Sequence, residues 1–240
     1  MIRAFAPIIA ASALVAGCHA RGEEGGGATV SKNYSVGNFQ QIEVAGPYDV
    51  EVRTGSNPSV AATGSESLLG RTTVEVQGDK LVIHPQNNHG IFHWGWSNHG
   101  KAHFTVTVPQ LSGATIAGSG GIKVDKISGN AFAGEIAGSG GLELASVEVQ
   151  SLKLSIGGSG DVKAAGHAKT AAYEIAGSGG IDAGGIVAEQ AKVSIAGSGS
   201  VKANATATAD IDVMGSGDVN VTGGAKCNIS KAGSGDVHCS

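Results

Sequence analysis

The 240-residue sequence predicts an all-β fold, a single-stranded parallel β-helix (a β-solenoid) with about 18–20 residues per coil. Three observations lead there. Gly-Ser-Gly occurs seven times, beginning at Gly118, Gly138, Gly158, Gly177, Gly197, Gly215 and Gly233, at spacings of 18 to 20 residues. A fixed period of this length marks a repeat architecture whose units stack. Around each copy the side chains alternate. Two residues before it stand Ile116, Ile136, Ile156, Ile175, Ile195, Val213 and Lys231; two after it stand Ile122, Leu142, Val162, Ile181, Val201, Val219 and Val237. The next column is polar, with Lys123, Glu143, Lys163, Asp182 and Lys202. Period two is the pattern of a strand with one buried face. Thirdly, Gly makes up 40 of the residues and aromatics only 4%, which suits many tight turns around a narrow aliphatic interior.

The alternatives fail on composition. Glycine does not fall at every third position, so the chain is not collagenous. A hydrophobic content of 41% with sparse charge argues against general disorder. One coil cannot bury its own apolar face, whereas coils stacked about 4.8 Å apart bury it and close their backbone hydrogen bonds. The corner glycines are expected at positive φ, where successive coils crowd. The corner serines are expected to form a hydroxyl ladder, and the general crossover preference makes the solenoid right-handed.

In chain order, residues 1–17 read as a signal peptide. Arg3 supplies the positive start, and Ala4 to Ala16 form an apolar run too short to span a bilayer. Val15-Ala16-Gly17-Cys18 resembles a bacterial lipobox, in which Cys18 is acylated and tethers the chain to a membrane; the alternative is an ordinary signal peptide cut near Ala20. Residues 18–29 form a flexible tether. His19 instead of Asp after the cysteine resembles the sorting pattern for the outer membrane. Residues 30–240 form the β-helix, with 30–112 as wider, atypical coils that begin it and 113–240 as regular coils.

Within 30–112, Ile42 to Val52 repeat the strand–corner–strand unit with Gly46-Pro47-Tyr48 at the corner. Val74 to Val76 and Leu81 to Ile83 flank a hairpin turn at Gln77-Gly78-Asp79-Lys80. Ser65 to Gly70 suit one short helical turn, and Lys101 to Val108 a strand ended by Pro109. Within 113–240, Leu142, Leu144, Val147, Val149, Leu152, Leu154 and Ile156 are expected to point inward, and Glu143, Glu148, Gln150 and Lys153 outward. Lys231 replaces an aliphatic residue in the last coil, as an exposed end rung requires.

Ile-x-Val-x-Gly-Pro-Tyr-Asp-Val near the start, a Trp-containing loop before Thr-Val-Thr-Val-Pro-Gln-Leu, and iterated Ile-x-Gly-Ser-Gly together resemble the bacterial DUF2807 family, the putative auto-transporter adhesin, head GIN domain. The resemblance covers about residues 36 to 240. It implies a β-helical cell-envelope protein with an adhesin-like binding or scaffold role, and carries over no catalytic residue.

The segment 84–103 is the most distinctive outside the repeat. It holds Phe92, Trp94 and Trp96, together with His84, His89, His93, His99 and His103. Neutral imidazole is a common transition-metal ligand, yet no HExxH pattern or nearby Cys accompanies these five. The other readings are an aromatic loop packed over the solenoid, or a platform for a glycan stacked on the Trp rings. Asp161, Asp218 and Asp236 follow Gly-Ser-Gly directly. They suit turn chemistry better than the Ca²⁺-binding β-roll, whose period is shorter. A phosphate cradle lacks its helix and lysine, and a serine-hydrolase elbow lacks its Gly-x-Ser-x-Gly. Polysaccharide-active β-helices need clustered acids and bases. The alternating column Lys123, Glu143, Lys163, Asp182, Lys202 reads instead as a self-compensating ladder, so no enzyme and no cofactor are expected.

Cys227 and Cys239 both have inward parity and suit either a terminal disulfide or two buried thiols. The net charge of −4 and the absence of a basic run argue against nucleic acid as a partner. The expected partners are a membrane, through the lipid, and a glycan or surface protein.

Overall fold

The computed structural model describes residues 28–86 and 102–240. Cys18, His89, Phe92, His93, Trp94, Trp96 and His99 lie outside the described residues. The described residues form seventeen strands and one short helix, stacked as a β-solenoid of about 6 turns. The N-terminal part holds β1 (Thr29–Tyr34), β2 (Gln41–Ala45), β3 (Tyr48–Thr54), β4 (Ser59–Ser65), helix α1 (Glu66–Leu69), β5 (Thr72–Gln77), β6 (Lys80–Pro85) and β7 (Ala102–Val108). Next come β8 (Gly113–Gly118), β9 (Gly121–Val124) and β10 (Ile127–Gly138). The near-complete coils β11 (Gly141–Gly158), β12 (Asp161–Gly177), β13 (Gly180–Gly197) and β14 (Ser200–Gly215) follow. The stack ends with β15 (Asp218–Thr222), β16 (Lys226–Gly233) and β17 (Val237–Cys239).

From β8 onward, consecutive coils pair in parallel and the corner glycines stay in register from Gly118 through Gly233. The aliphatic columns stack as their alternation predicts. Ile116, Ile136, Ile156, Ile175, Ile195 and Val213 follow one another and are all buried. The seven inward residues expected between Leu142 and Ile156 are buried, and Glu143, Glu148, Gln150 and Lys153 are exposed. Coil length varies between 18 and 20, and the difference is absorbed by register shifts away from the Gly-Ser-Gly corner, at Leu144/Val147, Lys163/Ala165, Ala183/Val187 and Ala188/Gln190.

The corners obey two separate constraints. The first glycine of each Gly-Ser-Gly has positive φ, between +125° and +138°, a region nearly closed to other residues. The second glycine sits against the coil before it: a Cβ on Gly199 would lie 2.7 Å from both the Gly179 carbonyl oxygen and Ile175 Cγ2. The expected serine ladder is corrected. The rungs run through the backbone, with Ser139 N–H donating to Gly118 C=O at 2.9 Å and Gly141 N–H to Gly120 C=O at 3.1 Å, and so on up the stack. The serine side chains are exposed, and no hydrogen bond joins one corner hydroxyl to the next among the described residues. At positive φ the glycine carbonyl points along the stack toward the next serine N–H, which frees the side chain to face water.

The N-terminal region departs from a simple solenoid. β2 pairs in parallel with β6 on one side and β8 on the other, and β3 likewise lies between β7 and β9. The first coil in sequence is therefore sandwiched between the second and the third. Residues 30–112 are thus not stacked in chain order. β4 then pairs antiparallel with β7, β1 with β4, and β5 with β6. These strands and α1, capped by Ser65 Oγ accepting from Leu68 N–H at 3.4 Å, cover the outer rung, which would otherwise be an open sheet edge. The β5–β6 turn has Gly78 at φ +63°, as a tight hairpin requires.

At the other end Cys227 and Cys239 are joined in a disulfide, with Cα atoms 6.6 Å apart. It closes a loop through the last coil, and Lys231 Nζ donates to the Gly235 carbonyl at 2.7 Å.

All three tyrosines of the chain (Tyr34, Tyr48 and Tyr173) have their hydroxyls pushed above the ordinary value of 10.0, in each case chiefly by burial. Tyr173 is fully buried, and its hydroxyl has no hydrogen-bond partner among the described residues. As pH rises past 10, the unfolded chain loses protons that the folded chain keeps, so stability falls, by about 1.4 kcal/mol per pH unit for Tyr173 alone. Tyrosinate absorbance is therefore expected to appear together with loss of the β circular-dichroism signal. Tyr173→Phe should raise the alkaline midpoint. Tyrosinate titrating near pH 10 in a still-folded chain would contradict this.

Candidate functional site

One outward wall of the stack is concave. A groove of about 670 Å³ runs across the coils from His103 on β7 to Lys202 on β14. Two outward columns, produced by the period-two alternation of β3, β7, β9 and β11–β14, build it. Nearest the corner stand Asp49, Gly121, Gly141, Asp161, Gly180 and Ser200, in successive coils. Beside them stand Glu51, Lys123, Glu143, Lys163, Asp182 and Lys202, alternating in sign from coil to coil. The floor is the bare backbone of Gly121, Gly141 and Gly180 over the buried Ile122, Leu142 and Ile181.

These floor glycines differ from the corner glycines. None has positive φ. A Cβ on Gly141 would meet nothing nearer than the Asp161 carbonyl oxygen at 4.0 Å. On Gly121 it would meet Asp49 Oδ1 at 3.4 Å, and on Gly180 Asp161 Oδ1 at 2.9 Å. The two aspartates thus lean over the floor on either side of an open place at Gly141. Glycine weakens a strand interior and often marks close approach by another molecule or backbone. Among the described residues no backbone makes that approach at Gly141.

Part of the charge is internally compensated. Lys123 Nζ lies 3.0 Å from Glu143 Oε2, and Lys202 Nζ 3.9 Å from Asp182 Oδ2. Glu51 is held by Arg53 at 2.9 Å and faces His103 Nε2 at 3.7 Å. These exposed pairs stabilise the fold little, about 0–1 kcal/mol each; their effect is to fix the side chains. Asp49, Asp161 and Lys163 have no ion pair or side-chain hydrogen bond among the described residues, so their polar groups remain available.

Of the five histidines singled out in sequence, two are described, and different carboxylates engage them. His84 Nε2 lies 3.2 Å from Glu75 Oε1 on the β5–β6 hairpin, and His103 faces Glu51. The Gln77 amide and His84 hold the Glu75 carboxyl below its ordinary range. No group of three or more metal-ligating side chains occurs among the described residues. Asp218 Oδ1 accepts the backbone N–H of Asp236 in the next coil at 2.9 Å, whereas Asp161 lines the groove. The Lys–Glu column forms the ladder expected at two of its steps. The sequence reading missed the floor glycines, which carry a signal only in standing one place beyond the corner motif, on a strand.

Val44 pairs with Ile83 and Tyr48 with Ala102, and the chain between Ile83 and Ala102 is far longer than the three residues between Val44 and Tyr48. His103, which follows Ala102, lines the end of the groove.

The family profile described as "Putative auto-transporter adhesin, head GIN domain" (DUF2807) matches residues 38–225. The chain belongs to this family. In DUF2807 terms the match takes in the antiparallel cap strands β4 and β5, the groove and the coils through β15. Among solved structures, one from Bacteroides fragilis described as a putative adhesin superposes with a TM-score of 0.76 at 22% identity, covering 88% of this chain and 97% of that one. A structure from Parabacteroides distasonis described as a putative lipid binding protein gives 0.71 at 23% identity, covering 90% and 98%. A putative adhesin from Parabacteroides merdae gives 0.63 at 20%, covering 90% and 98%. These likenesses show that the DUF2807 solenoid is shared by distant sequences. Comparison with curated proteins finds no match. Among the described residues no helix is long and apolar enough to cross a membrane.

Proposed function

We propose that this chain is a cell-envelope binding protein of adhesin-like role, anchored through lipid on Cys18, with the groove from His103 to Lys202 as its contact face. The observation that carries this reading is the floor, above all Gly141, a strand position where neither backbone conformation nor neighbouring atoms exclude a side chain. Adhesin membership of the family supports the role. The motif Val15-Ala16-Gly17-Cys18 supports the anchor, and His19 the outer membrane. The lysines that hold Glu143 and Asp182 support a binding use of the wall over a catalytic one. A glycan or surface protein is the partner class, and Phe92, Trp94 and Trp96 are further candidate contacts, joined in sequence to the groove through His103.

The test is adhesion of cells that display the chain. Gly141→Trp should abolish attachment to the surfaces the wild type recognises while Tm stays within a degree or two, because the added ring enters open space; Gly141→Ala should leave both unchanged. Cys18→Ser should release the chain from the membrane fraction. Undiminished attachment by the tryptophan variant would exclude the groove as the contact face.

A further inference from the structure

Resting on the reading of the groove as the contact face, we propose that its ligand is an extended, uncharged, β-linked glycan chain lying along the solenoid axis. The wall itself narrows the choice. Its backbone N–H and C=O groups are engaged coil to coil, as in the pairs Gly141 N–H to Gly120 C=O and Asp161 N–H to Gly140 C=O, both 3.1 Å. Among the described residues no free strand edge faces the groove, so an extended peptide finds none there to extend by strand addition. Recognition has to come from side chains.

Those side chains select against charged polymers. Asp49, Glu51, Glu143, Asp161 and Asp182 face Lys123, Lys163 and Lys202. A polyanion meets the unpaired carboxylates of Asp49 and Asp161, and a polycation meets a lysine on every second coil. Asp49 and Asp161 can each accept two hydroxyl hydrogen bonds, and Lys163 can donate to a hydroxyl or ring oxygen. Such bonds, with one partner ionised, are the stronger kind. That set of unpaired acceptors and one donor matches a chain of neutral hydroxyls.

Spacing supplies an independent argument. Adjacent coils repeat about every 4.8 Å, while a peptide advances about 3.3 Å per residue and falls out of step. The advance per ring of an extended β-linked glycan is close to the coil spacing, so the chain stays in step with the stack, and the half-turn between successive rings matches a wall whose charge alternates from coil to coil. α-Linked chains that coil into helices lose this match. At Gly141 the missing side chain lets a ring lie against the backbone between the two aspartates.

The experiment is titration calorimetry of the full chain in detergent with cellohexaose, chitohexaose and mannohexaose, set against maltohexaose and hexagalacturonate. At least one uncharged β-linked hexaose should bind, more tightly than its dimer and roughly tenfold or more tighter than maltohexaose. Asp49→Asn and Asp161→Asn should each weaken binding by roughly tenfold, as expected for loss of charge-assisted hydrogen bonds. Gly141→Trp should abolish it with an unchanged circular-dichroism spectrum. Failure of all three uncharged β-linked hexaoses to bind overturns the proposal, as does preference for hexagalacturonate or maltohexaose. If a preferred acidic or α-linked chain is lost in Gly141→Trp, the ligand class is wrong and the groove still stands. Binding of any chain that survives Gly141→Trp removes the groove itself.

Discussion

Gly158→Ala is expected to destabilise the folded chain by about 3–5 kcal/mol, the sum of a strained backbone and an overpacked contact. Gly158 has φ +128°, and a Cβ there would overlap the carbonyl oxygen of Gly138 in the preceding coil more closely than real Cβ atoms ever approach an oxygen. That oxygen cannot retreat freely, since it accepts the Ser159 N–H at 2.9 Å. Moving it disturbs Gly138, which is itself stacked against Gly118. Relief at one corner therefore propagates along the column, so neighbouring coils share the penalty without escaping it. Urea unfolding should show a midpoint lowered in proportion, with the slope unchanged. Gly141→Ala, one place beyond a corner and facing open space, is the internal control and should shift the midpoint by less than about 0.5 kcal/mol equivalent. Equal effects at the two positions would mean that the corner glycines are not packed as described.

That contrast also marks where the sequence was readable. Ile116, Ile136 and Ile156 announce their column because a narrow interior tolerates nothing else, and each coil repeats the demand at a nearly fixed interval. Gly118 and its successors announce the corner for the same reason. Residues 30–112 carry no such period. Ile42 to Val52 reads correctly as a strand–corner–strand unit, Leu81 to Ile83 reads correctly as a strand, and so does Lys101 to Val108 over its described residues. Which rung lies on which depends on partners far along the chain, such as Gln41 with both Lys80 and Gly113, and local pattern is blind to it. Gly121, Gly141 and Gly180 were hidden by their neighbours, since a glycine following Gly-Ser-Gly looks like more of the turn. Only stacking reveals that one set is forced by contact and the other is not. The unpartnered hydroxyl of Tyr173 was equally invisible, because Tyr173 occupies an inward position where Leu154 and Val193 precede and follow it in the column.

Phe104→Ala should remove about 3–5 kcal/mol, and the loss should fall on one end of the molecule. Phe104 is fully buried and packs edge-on to Tyr48 with ring centroids 5.6 Å apart and tilted against Tyr34 at 6.4 Å. It sits on the outermost parallel rung, opposite Val50 on one side and Ala62 of the antiparallel cap on the other. Truncation hollows the junction between cap and solenoid, and it loosens Tyr48, whose hydroxyl accepts from Thr72 Oγ1 at 3.1 Å. In a stack where each coil contacts only its neighbours, a defect at one rung weakens the adjoining rungs most. Amide exchange in the variant should therefore quicken across β1, β4, β5 and α1, while β12, β13 and β14 keep their wild-type protection. A uniform loss of protection through β14 would instead show that cap and coils open as one cooperative unit, with the parallel register transmitting the defect along the whole stack.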